Sequence, residues 1–236
     1  MNQFARAFTE KSLLEAWEII QKDFLFATWE TLYTTFLATL FAIVIGLPLG
    51  MLLVAGDKDG VFPMPGWLMK ALNIIINLLR SIPFLIMIMM VIPLTRLIMG
   101  TAVGTAASIV PLVVAAFPFV ARLVESSLRE VNPNIIETAQ SMGATPMQIL
   151  LRVMLPESVP SLISNFTLAI TTIMGYTAMA GAVGGGGLGK IAISYGYNRY
   201  QTDVLVVTVV LLIVLMQVIQ YIGMYISRKT DKRVRE

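Results

Sequence analysis

The chain has 236 residues, 57% of them hydrophobic and 13% charged, with a formal net charge of +3. Soluble domains carry about 25% charged and 45–50% apolar residues, so this composition is that of an integral membrane protein, and its length suits one domain with no room for an appended soluble enzyme. The chain has no Cys and no His, which excludes disulfides, thiolate metal sites and histidine-based catalysis.

In chain order, residues 1–30 read as an amphipathic extension. Phe4, Phe8, Leu13, Leu14, Trp17, Ile20 and Phe24 recur at about helical spacing among charged neighbours. That is the pattern of a helix lying on a membrane surface, and a loosely ordered leader is the alternative. Arg6, Glu10, Lys11, Glu15, Glu18, Lys22 and Asp23 interrupt any short apolar core, so a cleavable signal is not expected.

A helix needs about 20 apolar residues to cross the hydrocarbon layer. The first such stretch is Thr31 to Val54, ending at the polar turn Ala55 to Gly60. The second runs from about Trp67 to Leu94, with Lys70 and Arg80 in its first half and Ser81-Ile82-Pro83 interrupting it. Proline removes a backbone hydrogen bond and kinks a helix, so this is expected to be one long broken helix with an amphipathic, interfacial start. The third runs from about Thr101 to Val120 and continues into the polar stretch around Arg122, Glu125 and Arg129.

A polar loop, about 132–158, follows. Asn132-Pro133 is a helix start with a side-chain cap and proline at the first helical position. This helix should end near Met142, where Gly143 supplies the backbone freedom of a sharp turn. Thr145-Pro146 repeats the cap and proline, a second helix runs to Met154, and Pro156 and Pro160 limit its continuation. Two short helices bent at Gly143 would present Met142, Met147 and Leu150 among polar neighbours. Such a knob fits a groove on a partner; a capped interfacial loop with no partner is the bland alternative.

The fourth span, about Pro160 to Ala180, carries no charge, and the fifth runs from about Val204 to Ile226. Five spans put the termini on opposite sides. The positive-inside rule places inside the tail 228–236 with Arg228, Lys229, Lys232, Arg233 and Arg235, together with the Lys58–Arg80 region and the loop bearing Arg122, Arg129 and Arg152. The N-terminus is then outside, with Arg96, Lys190 and Arg199.

Three further features ask for a function. Ser161, Asn165, Thr172 and Tyr176 share one face of the fourth span; they read as a wall of a translocation path or as interhelical hydrogen bonding. Gly184, Gly185, Gly186 and Gly187, followed by Leu-Gly-Lys, match most of a phosphate-binding loop. Ile191 stands where Ser or Thr should meet the metal ion, and the run follows a membrane span instead of a buried strand. A flexible joint or close packing at an outer gate is the better reading, with an ordinary turn as the alternative. Tyr195, Tyr197, Arg199 and Tyr200 form an interfacial aromatic belt that could also meet a binding protein.

The loop carries a resemblance. Glu137-Thr138-Ala139, three residues, Gly143, nine residues, Val153, one residue, Leu155-Pro156 resembles the signature loop of bacterial ABC importer permeases, with Thr138 and Val153 as conservative departures. The stretches RSIPFLI from Arg80, FPFVARLVESSL from Phe117, GATPMQI from Gly143 (Gly143-Ala144-Thr145-Pro146) and GYTAMAGAVGGGGLGKIAISYGY from Gly175 resemble the methionine importer permease family. The resemblance spans about Thr31 to the C-terminus. It implies an all-α, polytopic fold of the type I ABC importer permease class, with five transmembrane helices in a single permease domain, 31–227. It implies a homodimer in the bacterial inner membrane, two ATPase subunits carrying ATP and Mg, and a periplasmic or lipid-anchored methionine-binding protein. The chain itself would bind no cofactor and no nucleic acid. Glu137, Thr138, Ala139, Gly143, Ala144, Thr145, Pro146, Leu155 and Pro156 would form the coupling element that docks on the ATPase.

Methionine, in D- and L-forms, is the substrate the resemblance implies; another small amino acid is the alternative, and the 15 Met residues say nothing about it because Met is flexible apolar filler. A secondary carrier would need acidic residues or His in the membrane, and the fourth and fifth spans offer none. An enzyme would need a catalytic constellation, which is lacking. A non-catalytic permease subunit is the expectation.

Overall fold

The computed structural model describes residues 23–231, and every described element is helical. The N-terminal amphipathic helix expected over Phe4 to Phe24 lies almost wholly outside these residues, as do the last five residues of the basic tail. Four helices are long and apolar enough to cross a membrane: α1 (Leu25–Ala55), α4 (Ile109–Arg129), α8 (Val159–Ala180, prolonged by the 3-10 turn Gly181–Val183) and α10 (Thr202–Thr230). Counting the bent pair α2 (Gly66–Ser81) and α3 (Phe84–Met99) as one span gives five. The break at Ile82-Pro83 falls where proline predicted it, but the two helices are bent by 111°. Pro83 cannot donate to the preceding turn, and Ile82 before it is extended, with φ −80° and ψ 124°, as a residue preceding proline prefers.

The observed bounds correct several expected ones. Helix α1 begins six residues before Thr31, which places Glu30 inside it. The third span does not start at Thr101. Residues 101–108 are turns and bends, because Gly100 and Gly104 adopt left-handed φ values of 74° and 114°, and Ser108 Oγ donates to the Thr105 carbonyl. The helix that follows continues unbroken through the charged stretch to Arg129. Helix α10 starts at Thr202, so buried Asp203 sits in its first turn, where a carboxylate complements the helix dipole. The expected span, Val204 to Ile226, holds no acid; the helix's earlier start adds Asp203 at its end.

The chain divides into two compact units that share the four long helices. The first takes residues up to Thr39, Phe84–Val113 and Ile170–Ile219. Its core is Phe24, Ala27, Leu188, Ile191 and Val204, with Leu211, Leu212 and Leu215 against it. On α1, Thr31, Thr34, Thr35 and Thr39 are buried, and each hydroxyl donates to the carbonyl four residues earlier. A hydroxyl that satisfies itself inside its own helix removes the cost of burying it.

The second unit takes Leu40–Pro83, Val114–Ala169 and the residues from Gln220 on. Its close packing depends on small residues. A Cβ on Gly46 would lie 2.8 Å from Val120, and one on Gly50 would lie 2.6 Å from the Ala121 carbonyl and Val124 Cβ, so α1 and α4 cross nearly backbone to backbone. The amphipathic face of α2 places Met69 and Ile76 against Leu53 of α1.

Candidate functional site

The loop expected over 132–158 is a hairpin in the second unit. Helix α5 (Pro133–Ser141) is capped by Asn132, whose side chain accepts from the Asn134 N–H at 3.0 Å. At its other end the Ala144 N–H donates to the Ala139 carbonyl at 3.1 Å and the Gly143 N–H to the Gln140 carbonyl at 2.9 Å. These are the two bonds of a Schellman motif, closed through Gly143 at φ +78°. The chain re-enters a helix through a capping box: the Thr145 N–H donates to Gln148 Oε1 and the Gln148 N–H to Thr145 Oγ1. The order cap, proline, turn glycine, cap, proline is therefore realised residue by residue.

Past that point the expectation fails. Helix α6 (Pro146–Gln148) continues through a π-helical turn, Ile149–Met154, into α7 (Leu155–Glu157), so Pro156 does not stop it. The wider turn, in which the Leu155 N–H donates to the Leu150 carbonyl, makes room for a proline ring that an α-turn would press on the carbonyl four residues before. The apolar surface is also redistributed. Met142 and Met147 are 83% and 63% exposed, whereas Leu150 is 8% exposed and packs inward with Ile149 and Met154. Glu137, Thr138, Thr145 and Pro146 are exposed, and Ala139, Ala144 and Leu155 are half-buried.

Two clefts flank the hairpin within this unit. One, of 570 Å³, is almost wholly apolar and lies between Met51, Phe62 and Met64 on one side and Pro146, Met147 and Leu150 on the other. The other, of 590 Å³, is lined by Asp57, Arg129, Ile136, Glu137 and Gln140. At its wall a polar chain runs across three elements. Asp57 pairs with Arg129 at 2.7 Å, Arg129 with Glu125 at 3.0 Å, and Glu125 with Arg122 at 2.5 Å. Arg122 then donates to Asn73 and Asn77 of α2 at 2.6 and 3.1 Å. These three ion pairs join end to end. The basic residues were visible in the sequence, but their partners on the Asp57 turn and α2 were not, because both lie more than 40 positions away.

The hydrogen bond from Arg129, helped by the Lys58 N–H, holds the Asp57 carboxyl below its ordinary range. A depressed carboxylate contributes stability above the unfolded value, about 3.9, and loses it as pH falls through the lower folded value. Asp57→Asn should therefore flatten the acid limb of a thermal-stability profile below about pH 4. The change at pH 7 should be small because both partners are nearly half exposed.

The four polar residues of the fourth span separate. Ser161 and Asn165 both meet the buried Ser127 of α4, at 3.2 and 2.8 Å, and Asn165 also donates to the Leu123 carbonyl. With Ser158, Ser164 and Ser227 they line a polar cavity of 350 Å³ in the second unit. Tyr176, in the first unit, stacks on Phe84 with centroids 4.5 Å apart, and Thr172 is half-buried there. The interhelical reading therefore accounts for Ser161 and Asn165.

The glycine run is a packed turn in the first unit. Gly184 and Gly187 have φ of 93° and 76°. Oε2 of Glu30 accepts from the Gly187 N–H at 2.8 Å, Oε1 accepts from Thr105 Oγ1 at 2.6 Å, and Thr31 Oγ1 accepts from the Leu188 N–H at 2.9 Å. A Cβ on Gly186 would fall 2.0 Å from Thr105 Oγ1. Of the amides that a phosphate loop would offer to a nucleotide, that of Gly187 is held by the Glu30 carboxylate, that of Leu188 by the Thr31 hydroxyl and that of Gly185 by the Ala180 carbonyl. Sequence reading missed Glu30 and the threonine run, although Thr31, Thr35 and Thr39 at four-residue spacing was a visible signal.

Residues 42–236 match the family model described as binding-protein-dependent transport system inner membrane component. The chain is 48% identical over 219 residues to the "Probable D-methionine transport system permease protein MetI" of Vibrio cholerae, covering 92% of this chain and 96% of that one. It is 46% identical over 153 residues to the D-methionine transport system permease protein MetI of Escherichia coli K12, covering 65% and 70%. Among solved structures, an inward-facing conformation of the MetNI methionine ABC transporter superposes with a TM-score of 0.88 at 43% identity, covering 91% of this chain and 99% of that one.

Proposed function

Since the chain belongs to the family of binding-protein-dependent transport system inner membrane components, we propose that it is the permease subunit of an ATP-driven methionine importer, taking D- and L-methionine across a bacterial inner membrane. The relatives named for D-methionine transport support the substrate. The observation that carries the mechanism is the hairpin bent at Gly143, with Met142 and Met147 exposed at its turn. Two apolar side chains on a rigid, twice-capped turn are suited to a groove in a partner. That partner is an ATPase subunit holding ATP and Mg, and the permease pairs with a second copy of itself to meet two of them.

In this reading the C-terminus and the hairpin lie in the cytoplasm, and the N-terminus and the Gly184–Gly187 turn face outward, where a methionine-binding protein delivers its load. ATP draws the two ATPases together and the hairpins move with them. The polar chain from Asp57 to Asn77 then carries that displacement to the middle of α2. The two arrangements must differ in affinity for nucleotide for this to transmit anything. Ser161 and Asn165 bond to α4 and also line the polar cavity, so the two readings are compatible, and with Thr172 and Tyr176 they form the proposed wall of the path. A proton-driven carrier would need an available membrane carboxylate; Glu30 is already held by two donors, and Asp203 lies at the very end of its span, in the first turn of α10.

Purification from the native membrane in mild detergent tests the class. A stoichiometric ATPase should co-elute and should be lost when Glu137 and Gly143 are both altered. A dimer that elutes alone and still moves methionine after ATP is exhausted would overturn the proposal.

A further inference from the structure

A cavity of 370 Å³ in the first unit lies beside the start of α1, with Asp23, Phe26 and Glu30 on one wall and Lys190, Tyr195 and Arg199 on the other. Positions 23, 26 and 30 fall on one face of the helical turns that begin α1. The two carboxylates are engaged unequally. Glu30 has a donor on each oxygen, while Asp23 accepts one long bond, from Tyr195 Oη at 3.3 Å. On the opposite wall the Arg199 guanidinium lies 4.6 Å from the Tyr195 ring centroid. Lys190 is exposed, and neither cation enters an ion pair among the described residues.

Two cations and two carboxylates thus face one space without pairing across it. A single anion there would meet Lys190 and Arg199 favourably but also the field of Asp23 and Glu30, and a single cation would meet the converse. A group carrying both charges satisfies both walls, through charge-assisted hydrogen bonds on each side. We propose that this cavity binds a zwitterionic head group, its anionic oxygens on Lys190 and Arg199 and its ammonium on Asp23.

Two sources carry this chemistry, the phosphoethanolamine head of a bilayer lipid and a free α-amino acid. Leu25, Phe26 and Trp29, on the same turns of α1, are 85%, 66% and 64% exposed, so the cavity opens beside an apolar surface on which acyl chains can lie. Phosphatidylglycerol, which lacks the ammonium, leaves the Asp23 wall unanswered. The site requires only that the chain lies in a bilayer and does not depend on the transport reading.

The test is native mass spectrometry of the full-length protein with equal amounts of phosphatidylethanolamine and phosphatidylglycerol, joined to equilibrium dialysis with radiolabelled methionine, methioninamide and N-acetylmethionine. For a lipid source, phosphatidylethanolamine should be retained about tenfold over phosphatidylglycerol. For an amino-acid source, methionine should bind while both analogues, each lacking one charge, compete poorly. Either preference should disappear in Lys190→Glu and, independently, in Asp23→Lys. Should either variant elute as aggregate, Lys190→Met and Asp23→Asn replace them. Equal retention of the two lipids with no methionine bound, or a preference unchanged in both variants, overturns the assignment and leaves the importer proposal untouched.

Discussion

Gly143→Val should reduce ATP-driven uptake to background while the chain still inserts in the membrane at ordinary levels. A Cβ at Gly143 would meet nothing within 4 Å, so the cost is not a clash. It lies in the backbone, because φ +78° is a left-handed conformation that a β-branched residue adopts only at a cost of about 1–3 kcal/mol. A solvent-exposed turn joining two short helices can escape that cost by opening the Schellman bonds at Ala144 and Gly143, which would turn Met142 away from Met147. Gly143→Asn separates backbone from docking chemistry. Asn tolerates the left-handed region, so uptake should remain within about twofold of the parent. Equal loss in both variants would move the role of Gly143 from conformation to direct contact, and full uptake by Gly143→Val would remove the position from the coupling element altogether.

How much of this was legible depends on whether the determinant was local. Asn132-Pro133, Gly143 and Thr145-Pro146 each act through bonds reaching at most five residues, so the hairpin could be read from its own letters and its caps appear as expected. The spans were legible for the same reason, since hydropathy is a property of the segment. The failures have two physical sources. The helix expected to run to Met154 reaches Glu157, because the π-turn before Pro156 accommodates the proline ring. The third span, expected from about Thr101, starts at Ile109, because Gly100 and Gly104 in left-handed conformations turn the backbone out of a helical path. What remained hidden was long-range. Nothing near Arg129 names Asp57 as its partner, nothing near Arg122 names Asn73, and nothing near the glycine run names Glu30, 157 positions away from Gly187.

That last pairing carries the second large effect. Glu30→Ala should lower the midpoint of thermal aggregation of the purified permease by about 5 °C or more, since each hydrogen bond to a charged group contributes about 1.5–3 kcal/mol and 1 kcal/mol moves a chain of this size by about 2–4 °C. The substitution takes the acceptor from the Gly187 N–H and from Thr105 Oγ1 together, leaving the amide at the start of α9 (Gly187–Ile191) without its partner in a closely packed turn. Glu30→Gln keeps one carbonyl oxygen and should fall between parent and Ala. Gly186→Ala attacks the same junction from the other side, through a Cβ 2.0 Å from Thr105 Oγ1. Removing the Glu30 carboxylate frees Thr105 to rotate away, so the double variant should lose less than the sum of the single losses. Strict additivity would mean that Thr105 does not link them. A Glu30→Ala protein as stable as its parent would show that the glycine run is not held shut by this carboxylate, and the run would then regain the character of a free joint that its composition suggests.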